Sequence, residues 1–234
     1  MSFSELRKLL YPPFCFVCGR GSADICPACE SSLESFTHVG RLHNLPLYSA
    51  LHYSESASHM ILAAKESNNR ACSRYMASLM VHRFSRLHRD FSLDRYTLIP
   101  IPSSKRSDAK RGFSHTSILA KLLRSEVERR FEVSISIREL LTPTRAIADQ
   151  SGLNAVQREI NIHKAFRVTS TRSQSSVPLK PDLTGTGIIL IDDLVTTGST
   201  MGEAIRALKE ASIKPAAMLS ACVAGRFLAN RIGT

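Results

Sequence analysis

Apolar and polar positions along this chain follow two alternating periods. The run LYSALHYS (47–54) alternates like a short strand, and residues 56–66 and 70–88 repeat apolar side chains at helical spacing, broken by SNN. YTLIPIP (96–102) reads as a buried strand stopped by Pro100 and Pro102, since proline fits only at a strand end. In FSHTSILAKLLRSEVERR (113–130), Ile118, Leu119, Leu122, Leu123 and Val127 share one helical face. VSISIREL and KAFRVT read as strands, and the polar stretch 142–163 between them as loop or partial helix. STRSQSSVPLKPD is a solvated excursion, followed by a strand over 186–191, a helix over 200–211 and a strand AAMLSACVA. Strands alternating with helices predict an α/β fold with a mostly parallel sheet flanked by helices. No internal repeat is present.

The stretch GIILIDDLVTTGST (187–200) sits in a telling place within that scheme. Ligands of such sheets bind beyond the carboxyl ends of the strands. The apolar strand runs into Asp192 and Asp193, which are expected at its tip, and then into a tight loop that opens a helix. Backbone N–H groups at a helix start favour an anion, Thr196, Thr197, Ser199 and Thr200 add hydroxyls, and Gly198 permits close approach. A phosphate cradle beside two carboxylates implies a sugar phosphate. The acids repel phosphate, so they must face sugar hydroxyls or a Mg²⁺ ion. An N-capped helix alone explains the hydroxyl residues but leaves the paired acids unexplained.

Cysteines add a second feature. Four of six lie in CFVCGRGSADICPACE, and Cys15, Cys18, Cys26 and Cys29 have the double C-x2-C spacing of a tetrahedral Zn²⁺ site. Two disulfides are the alternative. A four-thiolate site leaves no open position, so its zinc is structural. The expected division is a zinc-binding module over 1–35 and a larger domain over 36–234. Cys72 and Cys222 read as small core residues, and His38 and His43 as solvent-facing loop residues, with spare metal ligands the alternative.

Charge and hydropathy bound the partners. The 234 residues carry a net charge of +11, which favours anionic partners. No apolar run reaches membrane-span length. The N-terminus reads as a short amphipathic helix (Phe3, Leu6, Leu9, Leu10) and not a signal peptide, so the expected location is cytoplasmic.

IILIDDLVTTGST closely resembles the phosphoribosyl pyrophosphate (PRPP) motif of type I phosphoribosyltransferases. IPIPSSKRSDAKRGFSHT and TRAIADQSGLNAVQREINIHKAF are similar to segments of the ComF/GntX family, which also carries an N-terminal four-cysteine module. The resemblance covers about residues 10 to 226. It implies a type I phosphoribosyltransferase fold and Mg²⁺-dependent transfer of the phosphoribosyl group from PRPP to an unidentified nitrogen acceptor. By position, Asp192, Asp193 and Arg111 would be catalytic, the acids holding ribose hydroxyls and, through them or water, Mg²⁺. Val195, Thr196, Thr197, Gly198, Ser199, Thr200, Lys65, Arg106 and Gly112 would bind PRPP, with Lys105 and Lys110 in the same basic loop. Arg145, Gln150, Arg158 and Asn161 would belong to the flexible loop that closes over the reacting centre. Ser114 and His115 stand where the family usually has Asn-Gln, a departure that alters the amide contacts. The family includes a competence protein implicated in DNA uptake. Single-stranded DNA and the uptake machinery are therefore candidate partners, and a non-catalytic PRPP- or nucleotide-sensing, DNA-binding competence factor is the alternative reading.

Overall fold

The computed structural model describes residues 14–21, 24–33, 38–66, 69–102, 113–145, 157, 161–169 and 183–224. A short helix α1 (Pro27–Ser32) follows the cysteine knuckle. A hairpin comes next, β1 (His38–Leu42) and β2 (Leu45–His52), then helices α2 (Glu55–Glu66) and α3 (Arg70–Phe91). Strand β3 (Arg95–Pro100), helix α4 (His115–Arg130) and strand β4 (Ser134–Ile137) complete one half. A two-stranded ribbon, β5 (Leu141–Pro143) and β6 (Phe166–Val168), precedes β7 (Gly187–Val195), α5 (Ser199–Glu210) and β8 (Ala217–Val223).

Six strands form one sheet in the order β1-β2-β8-β7-β3-β4, parallel except for β1, and β5 and β6 form a separate antiparallel ribbon. The central strands are apolar on both faces because both faces are covered. Ile189, Ile191 and Leu219 pack with α2, α3 and α4, while Ile188, Leu190 and Met218 pack with α5 and the ribbon. Asn69 caps α3 by accepting the Cys72 N–H at 3.0 Å, which explains why SNN separates two helices instead of breaking one. Cys72 and Cys222 are fully buried core residues, as their surroundings predict.

Three features differ from the sequence reading. Strand β7 runs through the acids to Val195, because β8 continues to pair with it (Asp192 with Ser220, Leu194 with Cys222) beyond the end of β3 at Pro100. Hydrogen bonding to a longer neighbour outweighs the poor strand propensity of two aspartates. His38 is in strand β1, not in a loop. His43 and Asn44 form the exposed two-residue turn of the β1–β2 hairpin, both with positive φ (49° and 63°), the conformation a tight right-twisting hairpin demands. Part of the polar stretch 142–163 is strand: β5 pairs with β6 from Leu141–Val168 to Pro143–Phe166.

The ribbon is fastened to α5 by a partly buried ion pair. Glu203 accepts the Phe166 N–H at 3.1 Å and two N–H groups of Arg206 at 2.7 Å, and Arg206 also donates to the Phe166 carbonyl at 2.9 Å. Burial would raise the Glu203 carboxyl, but Arg206 and the Phe166 N–H hold it below its ordinary range. Its contribution is therefore full at neutral pH and fades as acid protonates it. Glu203→Ala would leave the Phe166 N–H without this acceptor and strip two charge-assisted bonds from Arg206, and should cost on the order of 3 kcal/mol. Glu210→Ala, which removes the exposed carboxylate on the other side of Arg206, should cost at most about 0.5 kcal/mol. Urea unfolding that gives the two variants equal midpoints contradicts this assignment.

Candidate phosphate and metal sites

Successive residues of a strand point to opposite faces, so two adjacent acids in β7 face different surroundings. Asp193 points toward α2 and α4. One of its oxygens lies 2.8 Å from Lys65 Nζ, at the end of α2, and 3.7 Å from His115 Nε2, at the start of α4. Asp193 is 4% exposed. Burial works against its charge, but the Lys65 ammonium, followed by His115, holds its carboxyl below the ordinary range. Asp192 faces the other way and is half-buried, and its Oδ1 accepts the Asp193 N–H at 2.9 Å. Burial and then the Asp193 charge push its carboxyl well above the usual carboxylate range. A site of this kind favours a cation or hydroxyl donors beside Asp192, which would let it ionise.

The loop after β7 is shaped for an anion. Gly198 adopts φ 79° and ψ 2° as the N-cap of α5, a left-handed conformation that costs a side-chain-bearing residue about 1 kcal/mol or more. Thr197 Oγ1 and Ser199 Oγ are 2.9 Å apart, and the Ser199 N–H points to Thr197 Oγ1 at 3.3 Å. The α5 dipole and its opening N–H groups face the same place. On the helix behind, the His43 ring lies so close to Gly202 that a Cβ there would stand 2.3 Å from His43 Nε2. A glycine in that turn lets the hairpin seat against α5.

The carboxyl ends of β7, β8 and β2 form one edge. Ala224 N–H donates to Val195 C=O and Tyr53 N–H donates to Val223 C=O, both at 2.9 Å. From Tyr53 the chain leaves this edge and continues through α2 to Lys65. At the ribbon, Arg145 donates to the Asn161 and His163 carbonyls at 2.9 and 3.2 Å, closing the base of the segment between them. Lys65 thus meets Asp193 next to Asp192, residues Val195 to Thr200 follow directly along the chain, and Arg145 and Asn161 meet at the ribbon's end. Lys105, Arg106, Lys110, Arg111, Gly112, Gln150 and Arg158 lie outside the described residues.

A phosphoribosyl transferase domain model matches residues 109–227, half of the chain. The chain belongs to the phosphoribosyl transferase domain family. A DNA utilization protein, YhgH, of Escherichia coli is 28% identical over 201 residues, covering 81% of each chain. Competence protein F of Haemophilus influenzae is 22% identical over 210 residues, covering 81% of this chain and 86% of its own. These relatives and the motifs place the chain among ComF-type members with the type I fold. A hypoxanthine phosphoribosyltransferase of Trypanosoma cruzi is similar over 69% of this chain and 72% of its own, at 14% identity and a TM-score of 0.36. Within this phosphoribosyl transferase fold, the residues that sequence motifs missed are His115, present only as a departure from the family pattern, and the Glu203–Arg206 clamp. A Glu three residues before an Arg on a helix is too common a pattern to reveal burial.

The four thiols of the N-terminal segment converge. The Sγ atoms of Cys15, Cys18, Cys26 and Cys29 lie within 4.8 Å of one another, with Cys18 and Cys26 at 3.8 Å, and none forms a disulfide. With Zn–S bonds of about 2.3 Å, a tetrahedral edge is about 3.8 Å. Burial disfavours the Cys15 thiolate, but N–H groups of Cys18, Cys26 and Val17 directed at its sulfur bring its pKa down to about 6. The cluster fits a zinc module. Cys15, Val17, Cys29 and Leu33 belong to the same apolar cluster as α2 and α3, and Ser32 Oγ donates to Ser56 Oγ at 2.8 Å. One zinc per chain is the expected metal content. Cys18→Ser should lose it and lower thermal stability, because metal binding supplies folding free energy to so short a segment. Metal analysis of reduced protein that finds none contradicts the assignment.

Proposed function

We propose that the chain binds Mg²⁺·PRPP and transfers the phosphoribosyl group to a nitrogen acceptor, and that its four cysteines hold a structural zinc. The observation that carries this reading is the juxtaposition of a half-buried carboxylate, Asp192, with a hydroxyl-lined cradle at the start of α5. Thr196 to Thr200 receive the 5-phosphate on backbone N–H and hydroxyl groups, and Asp192 accepts from the ribose hydroxyls. Mg²⁺ would be held by Asp192, through the hydroxyls or water, and would neutralise charge on the pyrophosphate. Arg111, with Arg106 and its neighbouring lysines, is the proposed cationic partner of that pyrophosphate, and Arg145, Gln150, Arg158 and Asn161 belong to the proposed closing segment.

In the reaction, the bond from carbon 1 to pyrophosphate breaks and its electron pair leaves with the oxygen. The acceptor nitrogen's lone pair forms the new bond to carbon 1, and the nitrogen then loses its proton. Positive charge on the ribose and negative charge on the leaving group develop together, so fixed donors and cations at the pyrophosphate lower the barrier most. Asp193 has a different role. Tied to Lys65, it holds β7 and α2 in register beneath the sugar, which departs from the expectation that both acids and Lys65 contact PRPP.

The names of the relatives support a further reading, that the protein also handles single-stranded DNA during uptake. A net charge of +11 suits that role. Such binding would be nearly independent of base sequence, with log K falling linearly against log[salt] at about −0.7 per phosphate neutralised.

Calorimetric titration tests the ligand directly. PRPP should bind in the presence of Mg²⁺ and much more weakly in its absence, and incubation with candidate bases should release pyrophosphate. Absence of PRPP binding at millimolar concentration contradicts the proposal. Binding without turnover leaves the sensing, DNA-linked role.

A further inference from the structure

Tyr53 is a large aromatic side chain left 47% exposed, and it stands on the edge of the sheet where ligands of this architecture bind. Single exposed apolar residues usually need no explanation. Phe14 and Val39 are of that kind, one in the cysteine segment and one on the edge strand β1. Tyr53 differs because its position and its orientation are both fixed. Its N–H bonds to the last carbonyl of β8, Val223, and β8 is tied in turn to the last carbonyl of β7 through Ala224. The Tyr53 backbone therefore lies two strands away from Val195, where the phosphate loop begins. At about 4.8 Å per strand, that separation is roughly 10 Å. A ribose 5-phosphate seated in the cradle and lying along this edge would bring a ring on its carbon 1 to about that distance.

The ring is also held in place. Its hydroxyl bonds to Ser58 Oγ at 3.1 Å, in the first turn of α2, and that turn is itself capped by Ser54, which accepts the Ala57 N–H at 3.2 Å. Holding an aromatic face before a ligand arrives removes part of the ordering cost of binding. Helix α2 then leads to Lys65 on Asp193, so one rigid element joins the aromatic face to the acids.

We propose that Tyr53 is the specificity-determining face of the acceptor subsite, on which a planar ring at carbon 1 of the sugar phosphate stacks. The acceptor class that follows is a flat aromatic nitrogen ring, in preference to ammonia or an aliphatic amine. This assignment rests on the sugar-phosphate reading of the cradle.

The test uses the full-length protein with ribose 5-phosphate, AMP and UMP as probes in calorimetric titrations. Stacking of a base on an aromatic side chain is worth a gain of about 5-fold or more in affinity. Both nucleotides should therefore bind at least about 5-fold more tightly than ribose 5-phosphate. Tyr53→Ala and Tyr53→Leu should abolish that gain while leaving the affinity for ribose 5-phosphate unchanged, and Tyr53→Phe should keep most of it. Unchanged ribose 5-phosphate binding also certifies that the variants are folded. Equal affinity of the wild-type chain for nucleotide and ribose 5-phosphate overturns the proposal, as does a gain that survives Tyr53→Ala. A chain that binds none of the three probes overturns the sugar-phosphate reading itself, and this assignment with it.

Discussion

The contact between Lys65 and Asp193 is the constraint on which the site depends. Two aspartates adjacent in a central strand would repel each other strongly in a dry interior if both were ionised. The fold resolves the conflict by sending them to opposite faces and giving one a cation. Asp193, with Lys65 at 2.8 Å and His115 at 3.7 Å, keeps its charge and becomes part of the framework. Asp192 forms no such ion pair among the described residues, and in the proposed function it faces the ligand above the strand. The pair therefore makes one ion-paired framework acid and, in the proposed function, one ligand-facing acid out of a sequence that looks symmetric.

That same contact organises the elements around it. Lys65 lies at the end of α2, whose opening turn carries Ser56 and holds the Tyr53 hydroxyl, and Ser56 meets the helix that contains the last cysteine of the four-cysteine cluster. The N-terminal segment buries Cys15, Val17, Cys29 and Leu33 in the cluster that also holds Met60 and Ala64 of α2. A module too small to build its own core thus borrows one. On the opposite face of the sheet, α5 is fixed by Glu203 and Arg206 to the ribbon. The loop at the start of α5 is held between packed supports on both sides, which suits the phosphate recognition proposed for it.

Much of this is legible in the residues because it depends on local chemistry. The four-cysteine spacing, the apolar strand before two acids, Gly198 with its hydroxyl neighbours, and the break at SNN are short-range signals. What escapes the sequence is long-range. The extension of β7 through Asp192 and Asp193 depends on β8 pairing alongside it, and β8 lies more than twenty residues later. The division of labour between the acids depends on Lys65, more than a hundred residues earlier. His115 is visible only as an unexpected residue, since its burial against Asp193 arises from how α4 meets the sheet. His38 reads as loop because five residues of edge strand, polar and glycine-containing, carry no alternation strong enough to announce it.

The central claim is that the two adjacent acids have different roles, and paired measurements on Asp192→Asn and Asp193→Asn test it most directly. Urea unfolding and Mg²⁺·PRPP titration should be made on both variants. Asp192→Asn should unfold close to the wild-type midpoint but lose about 1.5–3 kcal/mol of binding, a charge-assisted hydrogen bond's worth. Asp193→Asn should lose about 3 kcal/mol of folding stability, because it leaves the Lys65 charge without its partner. Equal losses of stability and affinity in the two variants would contradict the account.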